Sequence, residues 1–328
     1  MHKRRTFTMA LCALTALPVL TGIAIAQTSA ADPEFPNRPV HIIVPGLQGS
    51  SLDTSGRELA NHLQHAWGVP VVVEYKPGAG SSVGASFVAR SKPDGYTWLI
   101  APYNVLTLNP HLYKTKEHPL DEFAPVSMIA NVPFVLAVHP SVPVNSVREL
   151  IDYARANPGK LNYGTSGVGS AQHLGGALFN SLANVELTEV GYKKGSEAIL
   201  DLLAGRIQVY FGANNSLLQH IGAGSLRALA VAGAKRSQAT AELPTVAESG
   251  VPGYQLPTWN AVVVPAGVPE SILEKIHEGV VQTLNNPEVK ARLANQGIEV
   301  QTTSPDELTR LIRQEYDELG KLVSGLER

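Results

Sequence analysis

The stretch Phe123–Pro140, "FAPVSMIANVPFVLAVHP", decides how this chain is laid out. It holds two apolar runs split by Pro133. A long apolar connection of this type reads as a crossing from one lobe to another. A second such segment, Leu256–Gly267, "LPTWNAVVVPAG", reads as the return crossing.

The rest of the chain alternates strand and helix around these two segments. "RPVHIIVPG" (38–46) reads as a buried strand, "QGSSLDTSG" as a loop, and "TSGRELANHLQHAWG" (54–68) as a helix with Leu59, Leu63 and Trp67 on one face. Gly68 is its expected C-cap. "VPVVVEY" (69–75), a helix from Ser82 and "GYTWLIAP" (95–102) complete a strand–helix–strand–helix–strand pattern, which implies a parallel sheet. After the first crossing comes a helix with Ser146 as N-cap and Glu149 three residues on, a capping-box pattern. Further strand–helix pairs follow up to "LRALAVAG" (226–233). Beyond the return crossing lie two helices, at about 269–285 and 305–326, with a short segment between them. The expected fold is α/β with two lobes, the second inserted in the first. Lobe 1 is read as 27–135 plus 258–328, and lobe 2 as 136–257.

The N-terminus reads as a removable signal rather than as fold. "MHKRR" is basic, an apolar run follows, and Ala24-Ile25-Ala26 suits cleavage before Gln27. Residues 1–26 are therefore expected to be a signal peptide. Arg4-Arg5-Thr6-Phe7 resembles a twin-arginine signal, so Sec and Tat export both stay open. Cys12, the one cysteine, falls inside this segment, which leaves no thiol, disulfide or cysteine metal site in the mature protein. A soluble periplasmic protein is expected. The chain has 328 residues, 44% hydrophobic and 16% charged, with net charge −2. That balance carries no nucleic-acid footprint.

Three loops share one layout: a strand, then small and hydroxyl residues, then a helix. They are Gly46–Asp53 ("GLQGSSLD"), Pro77–Gly84 ("PGAGSSVG") and Gly164–His173 ("GTSGVGSAQH"). Helix N-termini at the carboxyl ends of strands offer backbone N–H groups and a partial positive charge. With basic residues absent apart from Lys76 just outside, the loops suit a small anion held by neutral dipoles. Taken singly, each would pass for a tight turn with a serine cap. The second loop also contains Gly80-Ser81-Ser82-Val83-Gly84, a G-x-S-x-G, so an exported serine hydrolase using Ser82 is the alternative. Four residues separate the strand from Gly80, unlike a nucleophile elbow, and no histidine downstream carries a signature. A dinucleotide site would need an acid at the end of the next strand, which reads "IAPYN". His62 and His65 share a helix with no convergent carboxylate, so no metal site is expected. His173 falls one turn into its helix, where it can face a cleft. Trp259 is read as core.

Motifs spread along nearly the whole mature chain resemble one family. They include "KPGAG", "KPDGYT", "NPHLY", "ANPGKLNYGTSGVGSAQH" and "LPTVAESGVPGY". The family is Bug (TctC-type), the extracytoplasmic solute-binding proteins of tripartite tricarboxylate transporters. The resemblance implies a two-lobed periplasmic binding protein, a Venus flytrap of type II-like topology with two crossing strands. It implies a binding protein without catalytic residues, metal or cofactor. The cargo would be a small carboxylate: a di- or tricarboxylate, an acidic amino acid or an aromatic acid. Partners would be membrane permease subunits or a sensor, and the protein itself a monomer. Carried over, the ligand contacts are Gly49, Ser50, Ser51 and Asp53 in the first loop, and Gly78 to Ser82, with Gly80, Ser81 and Ser82 foremost, in the second. The third loop supplies Thr165, Ser166, Gly167, Gly169, Ser170 and His173. By position, Tyr103, Asn104, Tyr192 and Asn214 join them. The first loop departs from the family's usual F-x-P-G-G, reading Gly46-Leu47-Gln48-Gly49-Ser50. Gly191, Gly212 and Ala261 also depart. With Tyr103 and Gln48 these changes suggest a carboxylate with a neutral or aromatic tail.

Overall fold

A computed structural model describes residues 35–115, 117–237 and 240–326. The expected signal peptide, with Cys12, lies outside the described residues.

Strand β1 (Val40–Val44) leads to helix α1 (Ser51–Trp67), β2 (Val71–Tyr75), α2 (Ser82–Ala89) and β3 (Thr97–Pro102). Three short helices follow: α3 (Tyr103–Thr107), α4 (Asn109–Leu112) and α5 (Pro119–Glu122). The first crossing is β4 (Phe123–Asn131) running into β5 (Phe134–Val138). The second set comprises α6 (Val147–Ala156), β6 (Asn162–Thr165), α7 (Ala171–Ala183), β7 (Thr188–Gly191), α8 (Gly195–Leu203), β8 (Val209–Ala213), α9 (Asn214–Gly222) and β9 (Arg227–Val231). The chain closes with β10 (Trp259–Pro265), α10 (Glu270–Asn285), α11 (Pro287–Ala294), β11 (Glu299–Val300) and α12 (Pro305–Leu326).

These strands form two sheets. The six-stranded sheet has the order β11-β4-β10-β3-β1-β2, the five-stranded one β7-β6-β8-β5-β9. The second sheet is thus inserted between β4 and β10 of the first. Strands β1, β2 and β3 are parallel, as the strand–helix rhythm requires. Both sheets are nonetheless mixed. β10 is antiparallel to β3 and β4, and β5 to β8 and β9, because β5 and β10 each enter their sheet at the end where the neighbouring strands finish.

The two links between the sheets lie side by side. The Val132 N–H donates to Thr258 O at 2.9 Å, Ala232 N–H to Phe134 O at 2.8 Å and Leu256 N–H to Ala232 O at 2.9 Å. One contiguous cluster of buried apolar side chains runs through this hinge, from Leu99, Ala101 and Trp259 to Leu136 and Phe211. Helix α12 covers it with Leu308, Ile312, Leu319 and Val323.

Local capping follows the residues. Gly68 is left-handed, and its N–H donates to Gln64 O. Ser146 Oγ accepts from the Glu149 N–H at 3.2 Å, and the Glu149 carboxylate accepts from the Asn145 N–H at 2.7 Å. One expected boundary shifts. The residues read as a loop, 48–56, are mostly helical, because Ser50 caps α1 by accepting from the Asp53 N–H at 3.3 Å. Two elements in the segment between the last two helices, α11 and β11, were not expected.

Candidate ligand-binding site

Register places the loops. Asn260, at the start of β10, pairs with Pro102 at the end of β3, and Trp259 pairs with Asn131 at the end of β4. In the second sheet Phe134, at the start of β5, pairs with Ala213 at the end of β8. The short link 132–133 therefore joins the carboxyl ends of the two sheets. The loops after β1, β2 and β3 and those after β6, β7 and β8 all open on that side, where open α/β sheets bind ligands.

The first loop is held by Asp53. Its carboxylate is fully buried and accepts from the Gly49 N–H and the Tyr75 hydroxyl, each at 2.7 Å, with Arg57 Nε 3.3 Å away. The hydrogen bond to Asp53 and burial raise the Tyr75 pKa above its ordinary value. A carboxylate so engaged offers no donor to an anion. Asp53 fixes the shape of the Gly49–Ser51 turn.

The second loop is strained. Ala79 and Ser81 have φ of 45° and 77°, and Gly80 between them has φ of 57°. Non-glycine residues in this region cost about 1 kcal/mol or more each and persist only when their surroundings impose it. Asn104 and Asn109 do so here. Each donates an Nδ2–H to Gly80 O, at 2.8 and 2.9 Å, and Asn109 Nδ2 also donates to Ser82 Oγ at 3.1 Å. Ser81 Oγ–H donates to Pro45 O at 3.3 Å, tying the second loop to the first. Gly84 allows this approach: a Cβ there would lie 2.8 Å from Pro45 Cβ and 3.1 Å from Lys76 O. The two glycines of G-x-S-x-G thus serve a turn and a contact, and the Ser82 hydroxyl faces an amide donor rather than a base. Lys76 is turned aside, with Nζ 4.0 Å from the Phe87 ring centroid and 3.6 Å from Glu74.

The third loop belongs to the opposite sheet. Ser170 caps α7, its Oγ accepting from the His173 N–H at 3.2 Å. Thr165 is buried; its hydroxyl donates to Glu189 at 2.8 Å and accepts from the Gly167 N–H at 3.1 Å. Ser166 Oγ lies 3.2 Å from Gln172 Oε1. His173 Nε2 stands 3.8 Å from Glu189, and its Nδ1 is buried without a hydrogen-bond partner among the described residues.

The second and third loops converge. A Cβ on Gly169 would lie 3.1 Å from Asn109 Oδ1 and 3.3 Å from the Tyr113 hydroxyl; one on Gly80 would lie 3.3 Å from that same hydroxyl. Asn109 and Tyr113 of the first set therefore stand between a loop of each sheet. Neither was singled out from the sequence, although both sit in "NPHLY". At the hinge, Asn214 is fully buried with both side-chain polar atoms unpartnered among the described residues, and its N–H donates to Pro133 O at 2.8 Å. Asn260 Nδ2 is likewise buried and unpartnered, and was also missed.

Tyr103 and Tyr192 are half of the four residues expected by position. Tyr103 opens α3 and turns into the core, 3% exposed, with its ring against Trp259. Burial and the nearby Glu315 carboxylate hold its pKa far above the ordinary tyrosine value. Its hydroxyl is buried without a hydrogen-bond partner among the described residues. Tyr192 donates its hydroxyl to Asp201 at 2.8 Å, and burial chiefly pushes its pKa up to about 12. Its N–H, donating to Thr165 O at 2.9 Å, is what ties it to the third loop.

Two sheets joined by two crossing segments, with all strand–helix loops opening between them, define a two-lobed solute-binding protein. The chain belongs to the TctC family, described as tripartite tricarboxylate transporter family receptor, which it matches over residues 56–327. Protein BugT of Bordetella pertussis is 34% identical over 320 residues, covering 94% of this chain and 97% of BugT. The R. palustris protein Rpa4515, solved with adipate, is 35% identical, covers 89% of this chain and 98% of that one, and superposes with a TM-score of 0.81. MatC from Rhodopseudomonas palustris, solved with bound malate, is 26% identical over 88% of this chain and 100% of that one, with a TM-score of 0.78. The family is one of receptors.

Proposed function

We propose that this protein captures a small carboxylate between its lobes, in the periplasm, and presents it to membrane permease subunits or a sensor. The observation that carries this reading is the convergence of the Gly80 and Gly169 loops, from opposite sheets, on Asn109 and Tyr113. Backbone N–H groups there, at the starts of α2 and α7, are the donors, joined by Ser82, Ser166, Ser170 and His173. Asn104 and Asp53 shape the loops. Asn214 and Asn260 offer unpartnered amides at the hinge. Hydrogen bonds from N–H groups to a carboxylate are of the strong, charge-assisted kind. Contacts contributed by both lobes are what make a ligand favour the closed state. The adipate and malate seen in the two R. palustris proteins support a di- or tricarboxylate; acidic amino acids and aromatic acids share the same anchoring group. Lobe 1 is taken as 27–135 plus 258–328 and lobe 2 as 136–257. A periplasmic site agrees with the signal-like residues 1–26 and with the finding that no helix among the described residues is long and apolar enough to cross a membrane.

The test is a thermal-shift screen of a carboxylate library on protein unfolded, stripped of ligand and refolded. At least one carboxylate raises the melting temperature in a concentration-dependent way. A library without a single stabilising carboxylate contradicts the proposal.

A further inference from the structure

We propose that a cavity at the back of the hinge is a second ligand site, built for a small organic cation such as a primary amine. The cavity has a volume of about 490 Å³ and is lined from both sheets. Trp259 and Glu315 line it, together with Gly233 and Leu256. It lies toward β11 and β9, whereas the second and third loops follow β2 and β6, on the other side of the crossing strands in each sheet. It is therefore separate from the second and third loops, and it does not depend on their assignment to the carboxylate.

Glu315 marks the site. Helix α12 buries Leu308, Ile312, Leu319 and Val323, and residue 315 falls on the same stripe. A carboxylate occupies it, only 7% exposed. Its Oε2 accepts from Trp259 Nε1 at 2.9 Å; among the described residues it has no other hydrogen bond and no cationic partner. Burial pushes its pKa up to about 7, the behaviour of an acid whose charge nothing nearby neutralises. Glu318 adds to that rise. A second acid, Glu299, also lines the cavity and accepts from Ser237 at 2.7 Å. The basic residues stay at the rim: Lys235 and Arg236 are exposed, and Arg236 pairs with Glu248 at 3.0 Å.

The interior thus offers carboxylate and indole surface. An ammonium group gains a charge-assisted hydrogen bond from the first and a cation–π contact from the second. The volume is in the range of small-molecule sites. An occupant there would touch residues of both sheets.

The experiment is calorimetric titration of the purified protein with n-butylammonium chloride, with n-butanol and sodium chloride as neutral and ionic controls. The wild type and Asn109→Ala, a change in the carboxylate cleft, bind the amine equally and ignore both controls. Glu315→Gln, which keeps the side-chain shape, weakens binding about tenfold or more. Gly233→Phe adds a ring to the lining, at a position where a Cβ would meet nothing closer than 3.8 Å, and also abolishes binding. If Glu315→Gln fails to fold, Gly233→Phe decides alone. Absence of amine binding to the wild type, binding untouched by both hinge variants, or loss in Asn109→Ala alone overturns the proposal.

Discussion

Asp53 is an acid beside loops that the sequence reads as an anion cradle, and its partners remove the conflict. Gly49 N–H and the Tyr75 hydroxyl donate to it from within, and Arg57 pairs with it at 3.3 Å. Asp53→Ala leaves both donors without their acceptor, so the variant loses about 2–4 kcal/mol in urea unfolding. Asn109 acts differently. It grips the Gly80 carbonyl and holds two left-handed non-glycine residues in place. Asn109→Ala lets that loop relax, so carboxylate affinity falls about tenfold in calorimetry while the unfolding midpoint moves little. The glycine and serine loops were legible because their chemistry lies in consecutive residues at strand ends. Asn109 was not, since the carbonyl it holds is 29 residues away in sequence and only folding brings them together. Tyr103 shows the converse limit. Position after a strand locates a backbone, but the helix that starts there turns its side chain into the core.

Helix α12 shows what periodicity reveals and what it hides. Its span was readable from its apolar spacing, and so is the stripe that packs on the hinge. That stripe contains Glu315, a charged residue at a buried position, which is the signal in the sequence for the hinge cavity. Its folded pKa of about 7 lies above the ordinary value of 4.5. For an acid with a raised pKa, the native state binds more protons than the unfolded one between those values. The contribution to stability is complete below about pH 4.5 and is lost as pH rises through about 7. Urea titrations across this window therefore show wild-type stability falling more steeply with pH than that of Glu315→Gln. Equal slopes in the two proteins contradict the assignment. The short elements α11 and β11 escaped the sequence reading because a two-residue strand has no period to detect. Its place is set by pairing with Asn131 and Ala130.

At the scale of the molecule, the two crossing segments were legible because each is an apolar run with a proline or polar break where one sheet ends and the other begins. Their pairing was not, since a hydrogen bond such as Val132 N–H to Thr258 O joins residues far apart in the chain. The mixed sheets follow from the same crossings. The central claim is that two glycine-serine loops, one from each sheet, close on a carboxylate. A crystal structure of the protein purified from its host, with cargo retained, tests this most directly. The account predicts a carboxylate between the lobes with oxygens about 3 Å from backbone N–H groups of residues 78–82 and 166–170. A cargo without a carboxylate, or one bound away from both loops, contradicts it.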